Sequence, residues 1–118
     1  MPRFEFRGKS YNNPVELALD VVGGKWKMPI LWRLQEHKWR YGELKRSLGR
    51  VTHKILTQQL RELERDGLIA RQVYAEVPPK VEYSLTKRGR SVIPIIKRLR
   101  DWGETFKHEE RALPKKSK

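Results

Sequence analysis

The chain contains no cysteine among its 118 residues. Disulfides, thiolate catalysis, Cys-ligated zinc and thiol redox sensing are therefore excluded. It also lacks an apolar run long enough to span a bilayer and an N-terminal hydrophobic signal core, which predicts a soluble cytoplasmic protein with no membrane partner. Acid is scarce: 14 Asp and Glu stand against 27 Lys and Arg, a formal net charge of +13. Such a charge does not set a fold, but it makes a polyanion the natural partner. His37, His53 and His108 have no metal-ligand spacing, so neither a metal nor a cofactor is expected. Enzyme constellations are missing as well. No Gly-rich phosphate loop follows a strand, Lys25 beside Gly24 is not a P-loop, and no Ser/His/Asp grouping stands out. Glu62, Glu64 and Asp66 read as a solvated acidic patch pairing with Arg61 and Arg65 on their own helix. The chain is not expected to be an enzyme.

What is present has the length of one domain. Residues 1–12, MPRFEFRGKSYN, are polar and basic and read as a flexible arm. Asn13 then caps a helix opened by Pro14, over about 14–22, with Val15, Leu19 and Val22 inward and Gly23-Gly24 as its stop. A second helix is predicted from Lys25 to Glu36, with Trp26, Ile30, Leu31 and Leu34 inward. Pro29 is tolerable there because it lies near the first turn. An extended piece, Trp39 to Tyr41, precedes a third helix over Gly42 to Leu48.

The segment THKILTQQLRELERDGLI (52–69) follows. Thr52 is placed as an N-cap, Gly67 as the C′ residue, and Leu56, Leu60 and Leu63 form one apolar stripe. Two short helices about a Gly-containing turn make a helix-turn-helix. Two strands, Leu68 to Tyr74 and Val81 to Leu85, flank a tip stiffened by Pro78 and Pro79 and form a wing. Thr86 caps a last helix over 87–106, and 107–118 is a charged tail. The fold class is thus α+β and mostly helical: a winged helix-turn-helix domain over 13–106 with extra N- and C-terminal helices.

The side of the quoted helix away from its leucines carries Lys54, Thr57, Gln58, Arg61 and Arg65. Charged helix faces are commonly just solvated. This one is cationic and amide-bearing, follows a helix-turn-helix turn and sits beside a wing. Thr57, Gln58 and Arg61 suit base edges, whereas Lys54 and Arg65 suit phosphates. Thr52 and His53 lie at the helix start, where unpaired backbone N–H groups favour anions. Lys80 on the wing, Arg71 on its first strand and Arg40 before the third helix are further phosphate candidates. The last helix shows Ile95, Ile96, Leu99, Trp102 and Phe106, more apolar surface than a closed winged-helix core can cover. With Leu17 and Val21 on the first helix, these residues predict a homodimer about a two-fold axis.

The runs GGKWKMPIL (23–31), LTQQLRELERDGLI (56–69), VPPKVEYSLTKRG (77–89) and DWG (101–103) resemble the HxlR-type winged-helix transcription regulators of bacteria, over nearly all of Pro14 to Gly103. The resemblance implies a DNA-binding dimer acting on promoters, with the quoted helix in the major groove. One departure matters. Many such regulators that sense electrophiles or oxidants carry a cysteine where this chain has Asn13. Asparagine can cap the helix but cannot be oxidised or alkylated. An unidentified small-molecule effector, another stimulus, or control by protein level remain open in its place.

Together these readings predict a sequence-specific regulator that binds double-stranded DNA as a homodimer on a pseudo-palindromic operator. The alternative is a sequence-tolerant architectural or RNA-binding basic protein.

Overall fold

The computed structural model describes residues 2–112. Its elements run β1 (Phe4–Phe6), β2 (Lys9–Tyr11), α1 (Pro14–Val22), α2 (Lys27–Leu34), β3 (Trp39–Arg40), α3 (Tyr41–Leu48), α4 (His53–Arg65), β4 (Ile69–Tyr74), β5 (Lys80–Leu85) and α5 (Lys87–Ala112). The three-stranded sheet has the antiparallel order β3-β5-β4, with Trp39 opposite Tyr83 and Ile69 opposite Leu85. The chain is a winged helix-turn-helix, as its sequence predicts.

One apolar core explains why these segments pack as they do. Ile30, Leu31 and Leu34 of α2, Leu44 of α3, and Leu56, Leu60 and Leu63 of α4 are all buried. Leu68, Ile69, Tyr83 and Leu85 close the core from the wing side. Each leucine so buried contributes roughly 1.5–3 kcal/mol of transfer free energy. Since α4 spends its whole apolar stripe on this core, its other face is left to solvent.

Residues 2–12, expected as part of a loose arm, are ordered by strand pairing. They fold into an antiparallel hairpin, β1 with β2, in which Phe4 faces Tyr11 and Phe6 faces Lys9. Arg7 and Gly8 form its two-residue turn with φ of 50° and 78°, the backbone that matches strand twist in a tight hairpin. Tyr11 is buried, and its hydroxyl donates to Asp20 Oδ2 on α1 at 2.6 Å. That bond, with Lys9 Nζ on the same oxygen at 3.0 Å, holds the Asp20 carboxyl below its ordinary range and pushes the Tyr11 phenol up to about 12.

The tether also sets the rotation of α1, and it corrects the expected inward face. Leu17, Val21 and Val22 turn toward the domain with Asp20, whereas Val15 and Leu19 stand 66% and 62% exposed. The last helix differs too. It continues through the start of the predicted tail to Ala112, and residues 113–118 lie outside the described part. Ile96, expected on a dimer face, is buried in the domain's own core.

The acidic patch expected on α4 is not simply solvated. Lys27 on α2 is only 5% exposed, and its ammonium meets Glu62 Oε1 at 2.7 Å. Hydrogen bonding from Lys27 is the main reason the Glu62 carboxyl titrates below its usual 4.5. Because that value is lowered on folding, the pair stabilises the fold fully above about 4.5 and loses its contribution as pH falls through the lower folded value. Glu62→Gln should therefore cost about 3 kcal/mol, the lower end for a pair broken from one side, since part of Glu62 still meets water. Urea titrations across the acid range should show the same variant losing part of the pH dependence of stability. An unchanged acid limb would mean that the pair carries no linked proton.

Candidate nucleic-acid interface

Thr52 accepts from the Ile55 N–H at 3.1 Å through its hydroxyl and so starts α4. At the other end, Leu68 N–H bonds to Leu63 O at 2.9 Å and Gly67 N–H to Glu64 O at 3.0 Å. Gly67 sits at φ 80°, which completes a Schellman close. Both ends of the helix are thus fixed where the sequence puts them. Between them Lys54, Gln58 and Arg61 are exposed opposite the buried leucines. Among the described residues no carboxylate lies within ion-pair distance of Lys54 or Arg61.

Two concavities organise this face. His53, Lys54, Thr57, Gln58 and Arg61 line one that runs along α4, with Glu62 at its edge. Thr57 and Arg61 also line a second, of about 260 Å³, shared with Glu64 of the same helix, Arg71 of β4 and Tyr83 of β5. Burial raises the Tyr83 phenol, and the Arg71 charge beside it partly opposes that shift. The wing's first strand therefore presents a cation to the same cleft as the helix.

A side chain that sequence reasoning missed completes the helix start. Tyr41, in the first turn of α3, packs its ring edge-on against His53 and lies within hydrogen-bond distance of the His53 ring and its carbonyl. This contact fastens α3 to the beginning of α4. Read as the end of an extended piece, Tyr41 gave no sign of it.

Two of the candidate phosphate ligands, Arg65 and Lys80, lie against acids, while Arg40 stands where the sequence puts it. Arg65 lies at the far end of α4, where its Nε is 3.2 Å from Asp66 Oδ1. The Asp66 carboxylate, only 4% exposed, holds the Arg65 guanidinium more firmly protonated than usual, so this arginine is paired at the end of the helix while its side chain stays largely exposed. Lys80 is drawn back along its own hairpin, 4.8 Å from the Tyr74 ring centre and 3.7 Å from Glu82. The exposed tip ahead of it, residues 75–79, carries no cation and one acid, Glu76. Arg40 keeps an exposed side chain on β3, while its backbone N–H donates to Glu43 Oε1 at 2.9 Å and opens α3.

The second surface is apolar. Ile95, Leu99, Trp102 and Phe106 follow one another along one side of α5, all exposed, with Trp102 at 63% and Leu99 at 45%. Trp102 and Phe106 pack edge to face at 5.1 Å. Next to this strip is a groove of about 330 Å³ whose walls include Phe6 of the hairpin, Leu17 and Val21 of α1, and Val92 and Ile95 of α5.

Residues 21–111 match the HxlR-like helix-turn-helix family. The Bacillus subtilis protein named as the uncharacterized HTH-type transcriptional regulator YdeP is 53% identical over 94 residues, covering 80% of this chain and 73% of that one. The crystal structure of the HTH-type regulator YtcD superposes with a TM-score of 0.78 at 52% identity, over 81% of this chain and 98% of that one. The redox regulator HypR in its reduced form gives a TM-score of 0.79 at 46% identity, over 86% of this chain and the whole of that one. Coverage, identity and the shared winged helix agree, and this chain belongs to the HxlR-like helix-turn-helix family of transcriptional regulators.

Proposed function

We propose that the chain acts as a homodimer that reads a pseudo-palindromic operator with α4 in the major groove. The observation that carries this reading is the outer face of α4. It offers two cations and an amide on a helix whose other face is fixed in the core, and the nearest acid, Glu62, is engaged by Lys27 of α2. Gln58 and Arg61 reach base edges, and Lys54 with the backbone N–H groups at His53 holds phosphate. Arg71 adds a cation from the wing. Lys80 joins only after leaving Glu82 and the Tyr74 ring, so it is a weaker clamp than its position on the wing suggests.

Dimerisation supplies the second half-site. The strip from Ile95 to Phe106 and the neighbouring α1–α5 groove bury against their copies about a two-fold axis, setting the two α4 helices about 34 Å apart on one side of the duplex. HypR is named a redox regulator, and this chain has no cysteine with which to act as a thiol sensor. Control passes through another stimulus or through protein level.

Three measurements test the reading. Analytical ultracentrifugation at micromolar concentration should find a dimer, and Leu99→Asp with Trp102→Asp should yield a folded monomer. A monomeric parent protein would remove the two-fold operator. Salt titrations on operator and random duplexes should separate two roles. Arg61→Ala should lose about 1–3 kcal/mol per half-site, mainly on the operator. Lys54→Ala should weaken both duplexes and flatten the log K against log salt slope by about two for a dimer. Equal losses for Arg61→Ala on both duplexes would favour a sequence-tolerant binder. Finally, diamide at thiol-specific doses should leave operator affinity unchanged, and release at such a dose would break the exclusion of thiol chemistry.

A further inference from the structure

On the side of the domain formed by the end of α2, the loop into β3, the end of β5 and the first turns of α5 lies a crevice of about 520 Å³. The face of α4 proposed for DNA is not part of it. Its apolar residues are Leu34, Leu85 and Ile93, and its cations are Arg90 and Lys38. Arg90 is held in place because one guanidinium nitrogen, Nη1, donates to Leu85 O at 3.2 Å. A guanidinium has five N–H donors, so the rest of the fork stays available. Among the described residues neither Arg90 nor Lys38 meets a carboxylate within ion-pair distance, although Glu36 shares the crevice.

Two further features make the walls polar in specific places. His37 lines the crevice with its ring stacked flat on Trp39 at 5.0 Å, and its Nδ1 faces the Lys38 carbonyl at 2.6 Å. A carbonyl can only accept, so Nδ1 carries the proton, and in the neutral ring Nε2 is left as an acceptor. Pro94 lies inside α5 and has no N–H for the Arg90 carbonyl four residues before it. The same stretch of wall thus holds a fixed cation and a backbone acceptor released from the helix ladder.

We infer that this crevice is a binding site for a small organic carboxylate with an apolar body. The carboxylate pairs with the free edge of the Arg90 fork, with Lys38 nearby, and the body covers Leu34, Leu85 and Ile93. A fork that donates two parallel hydrogen bonds to one carboxylate selects it over a neutral group of the same shape. The volume falls within the range of small-molecule sites. Because its walls come from both α2 and α5, an occupant bridges the helix-turn-helix core and the long C-terminal helix.

Isothermal titration with three simple probes tests the assignment on the intact protein. Benzoate supplies both charge and body, benzamide the body alone, and acetate the charge alone. Benzoate should bind in the millimolar range or below and raise the melting temperature, with the other two at least about tenfold weaker. Arg90→Gln should reduce benzoate affinity by about tenfold or more while operator binding and far-UV circular dichroism stay as in the parent. Trp39, stacked on His37, should report occupancy as a change in tryptophan fluorescence that Trp39→Phe removes. Absence of benzoate binding, equal binding of benzamide, or unchanged affinity in a folded Arg90→Gln variant would each overturn the site. Should Arg90→Gln fold poorly, the probe series on the parent protein still decides.

Discussion

The corner from Asp66 to Leu68 is where the rest of the molecule is joined. Asp66 is a buried carboxylate, and burying one without partners would cost several kcal/mol. Arg65 approaches its oxygens from α4, and Arg7 approaches from the hairpin at 3.5 Å. The backbone here is used as fully as the side chain. Arg88 donates to Asp66 O at 3.1 Å, Thr86 Oγ1 to Gly67 O at 2.6 Å, and Thr86 N–H to Leu68 O at 3.1 Å. Gly89 is seated against the Leu68 carbonyl so closely that a Cβ there would collide with backbone. The helix α4, the wing, the hairpin and α5 therefore share one polar joint at the end of α4. The direction in which α4 presents its outer face is fixed by that joint and by Lys27 on Glu62.

Where the sequence was legible, periodicity and caps agreed. The stripe Leu56, Leu60, Leu63 falls between Thr52 and Gly67, and each cap residue makes the bond its chemistry predicts. The wing was legible because alternation over Val81, Tyr83 and Leu85 is flanked by prolines that cannot continue a strand. The hairpin at 4–11 was not, since three-residue strands give too few alternations to stand out among basic residues. Its Arg-Gly turn between two aromatic-bearing triplets was the available signal. In α1 nearly every side is apolar, so nine residues cannot say which face turns inward; Asp20 on Tyr11 decides it through a partner outside the helix.

Charge was the hardest property to read from the linear chain. Among the described residues Lys54 and Arg61 have no ion-pair partner while Arg65 and Lys80 do, although all four look alike in sequence. The difference lies in what tertiary packing brings near. Asp66 directly follows Arg65 and its carboxylate lies 3.2 Å from the Arg65 Nε, and Glu82 is on the same face of β5 as Lys80. Likewise Glu62 looked like one more surface acid until α2 placed a buried ammonium against it. Net charge indicated a polyanion. The distribution of charge left without an ion-pair partner among the described residues is visible only in three dimensions.

The hairpin's hold on Asp66 limits how this chain can vary or be altered. A tail of a dozen residues could be trimmed, extended or rewritten at no cost to the domain behind it. Here the segment before α1 supplies one of the two cations facing a buried acid and one wall of the α1–α5 groove through Phe6. A chain cut back to residue 12 would leave Asp66 with Arg65 alone and open the groove on one side. Position 7 and position 66 are therefore expected to change as a pair among chains that keep this hairpin, and a fusion partner placed at the N-terminus pulls on the end of α4.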